Sequence, residues 1–201
     1  MITRLLFTTA LALALAFSPA NAGQHVIDPA HTNVGFSVKH MVIANVQGKF
    51  DKFEGGFFLD GKGELANVTA SIDAASINTA IKDRDDHLRS PDFLDVATYP
   101  KLTFVSKKVT RKGNNYAILG DLTVRGVTKP VTLNAELLGT VKDPWGKMRA
   151  GFHAETVINR KEFGANFHKV LEAGGLVVDD MVKIVLDVEG VLQEPAPEAK
   201  K

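Results

Sequence analysis

Apolar and polar side chains alternate along most of the chain, and this period of two restricts the fold more than any other feature. In the first clear example, Val34, Phe36 and Val38 alternate with Ser37 and Lys39. Successive side chains of a β-strand point to opposite faces, so the pattern predicts strands with one apolar face. Eight such strands are predicted, at 31–40, 46–59, 65–75, 101–110, 116–125, 128–141, 147–159 and 180–192.

The length and number of these strands favour a barrel. A strand of 14 residues would span about 46 Å at roughly 3.3 Å per residue. An even number of long antiparallel strands can close into a ring, which leaves no unpaired edge. The sequence therefore predicts an all-β fold, an eight-stranded antiparallel barrel.

The connections between the strands are of two kinds, and these should gather at opposite ends of the barrel. Segments 60–63, 111–115 and 143–146 are short and rich in Gly, Asn and Asp, as hairpins require. Segments 76–100 and 160–179 are long, and long connections in a compact domain are often lids or binding loops. We therefore expect one closed end and one mouth, and the turn around Arg125 should lie at the mouth.

Segment 76–100 contains the one clearly helical pattern. Residues 83–89 begin with acidic and end with basic side chains, which matches a helix dipole. Ser90 and Pro91 then suit the start of a second short turn. Leu88, Phe93 and Leu94 offer an apolar underside. The sequence predicts a short helical lid between the third and fourth strands.

The first 22 residues resemble a leader for export. Arg4 precedes an apolar run at 5–17, and Ala20-Asn21-Ala22 has the small residues of a cleavage site. We interpret 1–22 as a cleaved signal peptide, 23–192 as the barrel domain and 193–201 as a disordered tail. These segments imply a periplasmic location in a bacterium.

Charge and hydropathy exclude two classes of partner. Without the leader the chain has 23 basic and 23 acidic residues, a balance that argues against a mainly electrostatic partner such as nucleic acid or an anionic membrane surface. No second apolar run is long enough for an integral membrane segment in the mature chain. A homodimer is compatible with the sequence.

The histidines suggest a metal or catalytic site only weakly. Cysteine is absent, and no nucleophile or metalloprotease motif is present. His31 and His40 are an odd number of residues apart on one predicted strand, so they point to opposite faces. His40 could meet Asp85 and His87 at the mouth, where hydrogen bonds that fasten the lid are the simpler role. We expect no metal site, no catalytic residue and no cofactor.

Several motifs together resemble the YceI family of bacterial periplasmic proteins. Residues 28–40 are similar to the family's opening motif, and 84–94 are similar to its central R-D-x-H-L-x-S-x-D-F signature. Residues 120–131 and 143–146 extend the likeness, which covers almost all of 24–192. The resemblance implies a lipocalin-like barrel whose long apolar pore holds a polyisoprenoid or related amphiphilic lipid, with no established catalysis.

The resemblance and the alternation together define the candidate site. Ligand contacts are expected on the inward faces of the strands and beneath the lid. The candidate ligand-binding residues are Phe36, Val38, His40, Phe50, Phe57, Leu88, Phe93, Phe104, Leu122, Phe152, Ile184 and Leu186. The candidate lid and rim residues are Arg84, Asp85, His87, Arg125 and Arg160, which would be solvated, hold the lid or grip a headgroup.

The expected function is sequestration or transport of a long-chain isoprenoid or similar lipid, with its tail toward the closed end. Periodicity alone leaves two alternatives open. The barrel could be filled by its own side chains, as in a ligand-free, stress-related structural protein, because eight strands enclose little space. The protein could also be an enzyme that uses a His/Asp site at the mouth.

Export supplies the first testable prediction. Cleavage between Ala22 and Gly23 should give a mature protein that begins Gly-Gln-His. N-terminal sequencing of the protein from a periplasmic fraction checks this. A soluble periplasmic chain that retains Met1 would contradict the assignment.

Overall fold

A computed structural model describes residues 22–171 and 175–193 of the chain. Within these ranges one α-helix, α1 Lys82–Arg89, is present, and 3-10 turns occupy Pro29–His31, Ala74–Ser76 and Arg160–Phe163. The strands are β1 Gly23–Ile27, β2 Asn33–His40, β3 Ala44–Phe50, β4 Phe53–Leu59, β5 Leu65–Asp73, β6 Ile77–Asn78, β7 Lys101–Lys112, β8 Asn115–Val124, β9 Val127–Lys142, β10 Met148–Asn159 and β11 Val178–Leu192.

The strands pair antiparallel around a closed ring of eight positions. One edge of β11 pairs with β10, and its other edge pairs with both β1 and β2. From there the ring runs through β3 and β4, then β5, β7, β8 and β9, and returns to β10. The helix α1 lies between the third and fourth positions. The predicted eight-stranded antiparallel barrel with a short helical lid is confirmed.

The first two positions of the ring each consist of two short strands. β1 and β2 follow one another along β11, and β4 and β3 follow one another beside them. The predicted strand 46–59 is therefore interrupted at 51–52. Segment 23–27 was not predicted as a strand, because Gly23, Gln24 and His25 provide no apolar alternation.

Side chains provide hydrogen-bond partners for backbone groups at the break between β1 and β2. Pro29 has no N–H to offer a ladder, and the carboxylate of Asp28 accepts a hydrogen bond from the N–H of Ala30 at 3.0 Å. The hydroxyl of Thr32 accepts from the N–H of Glu189 at 3.0 Å. The backbone of β11 thus stays hydrogen-bonded where its partner strand bends away.

An ion-pair cluster around Arg149 holds this bend on the outside of the barrel. The guanidinium contacts Asp28 at 2.9 Å, Asp143 at 2.8 Å, and Glu189. Hydrogen bonds from His31 and then from Arg149 hold the pKa of Asp28 at about 2. The cluster therefore stays ionised at neutral pH and joins the bend to β11 and to the turn after β9.

An aromatic cluster packs the closed end, and we call His25, Phe57, Tyr116 and Phe152 the floor. The rings of His25 and Phe57 stack with centroids 5.0 Å apart, and Phe57 meets Phe152 edge to face at 5.1 Å. Gly190 leaves room for this stack, since a Cβ there would lie 2.5 Å from the ring of Phe57. Leu59, Leu65, Ile118 and Ala150 are also buried in the core.

The two ends differ as the connections predict. Short turns at 60–64, 113–114 and 143–147 lie at the end where β1 begins and β11 stops. The lid, the turn 125–126 and the described residues 160–171 and 175–177 lie at the other end, the mouth. The predicted leader at 1–22 and tail at 193–201 fall almost wholly outside the described residues. No helix among those residues is long and apolar enough to cross a membrane.

Replacement of Gly190 by Ala tests the close packing of the floor. The added methyl group would collide with Phe57, and we expect the free energy of unfolding to fall by about 1–3 kcal/mol. Gly151→Ala in β10 is the matched control, because its Cβ would meet nothing nearer than Leu138 at 3.9 Å. Urea unfolding of both variants measures the difference, and equal losses would contradict the packing argument.

Candidate functional site

One side of the inner wall in the mouth half is formed by β2, β3, β10 and β11. Phe36 and Ile184 are direct partners across the β2–β11 seam, and Leu186 lies opposite Val34. The ring of Phe36 is 6.0 Å from that of Phe50 and lies over Gly48, beneath Thr79 of the lid segment. Along 34–40, 46–50, 152–158 and 182–188, the inward positions hold no Lys, Arg, Asp or Glu.

The side chains of this wall and those of the floor differ in their exposure to solvent. Phe57 and Phe152 of the floor are 2% and 5% exposed. Phe36, Ile184 and Leu186 also face inward, yet each is partly exposed. An inward side chain reaches solvent only through the interior of the barrel. The described side chains therefore fill the closed end and the wall around Phe104 and Leu122, whereas Phe36, Ile184 and Leu186 keep free surface on the wall of β2 and β11.

The predicted ligand-binding residues divide between these two environments. Phe57, Phe93, Phe104, Leu122 and Phe152 are buried against other side chains. Phe36, Val38, His40, Phe50, Leu88, Ile184 and Leu186 are partly exposed. Their shared role as ligand contacts stays a prediction, and the second group is the one with free surface.

The lid is anchored through a buried carboxylate at its start. Asp85 is 7% exposed, and it accepts hydrogen bonds from the backbone N–H of Thr79 at 2.8 Å and from the Thr79 hydroxyl. Arg84 donates to the hydroxyl and to the carbonyl of the same threonine at 2.7 and 2.8 Å. Both predicted rim residues thus fix the backbone that enters α1.

Two further arginines fasten the rest of the mouth. Arg125 donates to the carbonyls of Pro91 and Phe93, which follow the helix. Arg160 is 7% exposed, donates to carbonyls of the 160–179 segment and pairs with Asp180 at 2.9 Å. Arg125 thus holds the backbone that follows α1, whereas Arg160 holds the segment that follows β10; their role towards a ligand stays a prediction.

The histidines proposed for an enzyme site have separate surroundings. The Nε2–H of His87 donates a hydrogen bond to the carboxylate of Asp92 at 2.8 Å, and its ring packs edge to face with Phe93 and Phe167. His40 ends β2 opposite Ala44 and Val178. Asp85 is already engaged by Thr79. No described contact joins the three into a catalytic group.

One cluster among the described residues has the spacing of metal ligands. Asp28, His31 and Glu189 can each offer an atom, and these atoms lie within 4.8 Å of one another. The guanidinium of Arg149 binds both carboxylates, however, and supplies the positive charge there. His31 lies in this outer cluster and His40 at the mouth, so they do not converge.

Two polar groups of the floor were missed by the sequence analysis. His25 is fully buried, and its Nδ1 donates to the carbonyl of Gly23 at 3.1 Å. Burial lowers the pKa of His25, so the ring is neutral and its Nε2 is a free acceptor. Neither that atom nor the hydroxyl of Tyr116 has a partner among the described residues. Recognition of β1 as a strand could have revealed His25, whereas Tyr116 already begins the predicted strand 116–125.

Lys129 is a third residue that the sequence pattern does not reveal. It pairs with Leu122 across β8 and β9 and therefore falls on the inward side near the mouth. Its side chain is partly exposed, and none of the described carboxylates forms an ion pair with it. The apolar alternation of β9 obscures it, since a lysine at an inward position breaks the pattern.

A groove of about 900 Å³ lies on the outer surface instead of at the mouth. Its lining includes Asn134, His153, Glu155 and Lys183, which face away from the barrel interior. Hydrogen bonds to Asp187 and Glu155 raise the pKa of His153. The groove is open to solvent and includes charged side chains, so it would not shield an acyl or isoprenoid chain from water.

Comparison with known sequences identifies the family. The profile of the YceI-like domain matches residues 25–190. A protein named YceI from Escherichia coli O17:K52:H18 is 40% identical over 191 residues, which are 94% of each chain. A UPF0312 protein from Photorhabdus laumondii is 40% identical over 193 residues, 94% of this chain and 97% of its own.

Solved structures agree with this assignment. BcnA of Burkholderia cenocepacia has a TM-score of 0.70 and 26% identity, over 81% of this chain and 98% of its own. The YceI protein of Campylobacter jejuni has a TM-score of 0.69 and 33% identity, over 83% and 96%. A polyisoprenoid binding domain from Saccharophagus degradans shares the fold, with a TM-score of 0.59 and 18% identity over 86% and 99%. The family profile, the 40% identical relatives and the closed barrel agree, and the chain belongs to the family of YceI-like domains.

Proposed function

We propose that this protein is a periplasmic binding protein that sequesters or carries a long-chain isoprenoid or similar amphiphilic lipid inside its barrel. The observation that supports this most directly is the partly exposed apolar wall around Phe36, Ile184 and Leu186. Side chains of a filled core would be buried on that wall as they are at the floor. Family membership and the name of the domain from Saccharophagus degradans support the choice of ligand class.

Burial of the lipid's hydrocarbon chain supplies the binding free energy. Each methylene group that leaves water contributes about 0.8 kcal/mol, and the entropy lost when the lipid is ordered reduces the total. An isoprenoid is long, narrow and branched with methyl groups, so it suits a tall barrel lined by Phe, Val, Ile and Leu. The packed floor limits how deep the chain can enter, and the lid covers the entrance.

The alternatives receive less support. A filled, ligand-free barrel fits the floor and the wall around Phe104 and Leu122, and does not fit the partly exposed wall of β2 and β11. For an enzyme, Asp85 and His87 would have to leave hydrogen bonds that hold the lid. We therefore propose binding without catalysis, with no cofactor.

A carboxylate on the inner wall should abolish lipid binding. Ile184 faces inward opposite Phe36 and Thr156, so Ile184→Asp places a charge among apolar groups. We expect retained lipid to fall at least about tenfold, since a buried charge is costly unless water enters or its pKa rises. Native mass spectrometry of the protein purified from its own periplasm measures lipid per chain.

Val157→Asp is the matched control. Val157 pairs with Lys183, is 54% exposed and lies on the outer face of the adjacent strand β10. An outward carboxylate beside Lys183 should leave both lipid content and thermal stability unchanged. If the wild type carries no lipid and Ile184→Asp unfolds, the barrel is filled and the proposal is wrong.

The lid should control the rate at which lipid leaves. Asp85→Ala removes the acceptor of two hydrogen bonds and leaves the buried N–H of Thr79 without a partner. We expect the lipid to dissociate severalfold faster in this variant, measured by transfer of a fluorescent isoprenoid to excess unlabelled protein. Asp83→Ala changes the same charge at an exposed position of the same helix and should dissociate as the wild type does.

A further inference from the structure

A single lysine interrupts an otherwise uncharged inner face near the mouth. The pairing of the strands assigns the inward positions of this part of the wall, which are 102, 104 and 106 of β7, 120, 122 and 124 of β8, 127, 129, 131 and 133 of β9, and 154, 156 and 158 of β10. At these described positions every residue except Lys129 is uncharged. A charge at an inward position is costly unless something compensates it, so this lysine calls for a physical explanation.

The surroundings of Lys129 are apolar. It lies near the start of β9, close to the turn 125–126, and its partner across β8 is Leu122. Val127 and Val131 flank it on the same face of its own strand. Leu122 is 8% exposed, whereas Lys129 and both valines are partly exposed. The ammonium therefore stands at the mouth, and apolar side chains continue below it toward the floor.

Lys129 has no partner in the described part of the chain, where its ammonium forms neither a hydrogen bond nor an ion pair. Asp121 of β8 faces outward and pairs with Lys107 at 2.7 Å. Asp179, at the start of β11, accepts a hydrogen bond from the N–H of Met181 at 3.1 Å. The neighbouring carboxylates are thus turned away from this lysine or engaged elsewhere.

The later part of the connection between β10 and β11 lies on another side of the ring. The N–H of Met41 donates to the carbonyl of Val177 at 3.0 Å, and Gly175 lies beside Val42. These contacts place residues 175–177 at the turn between β2 and β3. The strands β10 and β11 separate that turn from β9.

The other cations of the mouth already have partners. Arg84 and Arg125 donate to backbone carbonyls of the lid segment. Arg160 and Lys161 pair with Asp180 at 2.9 and 2.8 Å. Lys129 is thus the cation at the inner face that keeps its charge available to a ligand.

We propose that the Lys129 ammonium binds the carboxylate of an amphiphilic carboxylic acid whose hydrocarbon chain lies in the pore below it. This inference rests on the proposed function and names the headgroup of that ligand. One available cation balances one negative charge, so a monocarboxylate fits this site better than a diphosphate, which carries several charges. With the headgroup at Lys129, the chain runs past Val131 and Leu133 toward the floor.

Farnesoic acid and farnesol share one hydrocarbon chain and differ in the headgroup, so together they test the proposal. The delipidated protein should bind farnesoic acid at least about tenfold more tightly than farnesol at pH 7, because hydrogen bonds to charged groups are the stronger ones. Farnesyl diphosphate should bind no more tightly than farnesol. Isothermal titration calorimetry measures the three affinities, and tightest binding of the diphosphate would overturn the assignment to a carboxylate.

Lys129→Met removes the charge and keeps a long apolar side chain. The affinity for farnesoic acid should fall about tenfold, and the affinity for farnesol should stay the same. Lys129→Arg keeps the charge and should keep the preference for the acid. Lys39→Met is the matched control, because Lys39 is exposed and lies on the outer face of β2 near the mouth. It should change neither affinity.

Two outcomes would give Lys129 a different role. β9 pairs with β10 only as far as Asn134, and an inward charge can protect such a strand edge from pairing with another chain. If Lys129→Met forms dimers in sedimentation velocity and binds farnesoic acid as the wild type does, edge protection replaces the proposal. If acetate displaces farnesoic acid, the lysine binds a free anion and not a lipid.

The same titrations separate this inference from the proposed function. If the wild type binds neither farnesol nor farnesoic acid, the lipid-binding function itself fails. If the wild type binds both with equal affinity and Lys129→Met changes nothing, the barrel binds lipid and only the assignment of the headgroup is wrong.

Discussion

Strand β11 holds the barrel closed, because one of its edges pairs with β10 and the other with two successive strands, β1 and β2. The pairing of Ile184 with Phe36 fixes the register of this seam. A shift by one residue would turn every apolar side chain of β11 toward solvent. Since β2 bends away from β1 beside Glu189, the hydroxyl of Thr32 and the Arg149 cluster keep the seam intact at its weakest point.

The interior of the barrel has two parts with different roles. At the floor, His25 and Phe57 stack over Gly190, and their close packing leaves no room for a ligand. Toward the mouth, Phe36 and Ile184 keep part of their surface free. The packed end supplies stability, and the open end can give up contacts with its own side chains to a ligand. In this way an eight-stranded barrel can be stable and still have room to bind a ligand.

The polar residues of the mouth act mainly on the chain itself. Asp85, Arg125 and Arg160 bond to backbone groups of the lid and of the segment after β10. These hydrogen bonds hold the irregular backbone at the mouth, where no neighbouring strand can pair with its N–H and C=O groups. Lys129 lies on the inward side near the mouth and forms no ion pair with the described carboxylates.

The alternation of side chains by itself determined the strands, the two kinds of ends and the inward position of residues such as Phe36 and Ile184. Motif resemblance determined the family. Local sequence could not reveal β1, because a strand of five residues with Gly, Gln and His owes its place to the edge of β11. Nor could it show that Arg160 is buried under the lid or that His25 lies at the floor. Those positions depend on which distant segments meet, and only the tertiary structure decides whether an inward side chain is packed or faces open space.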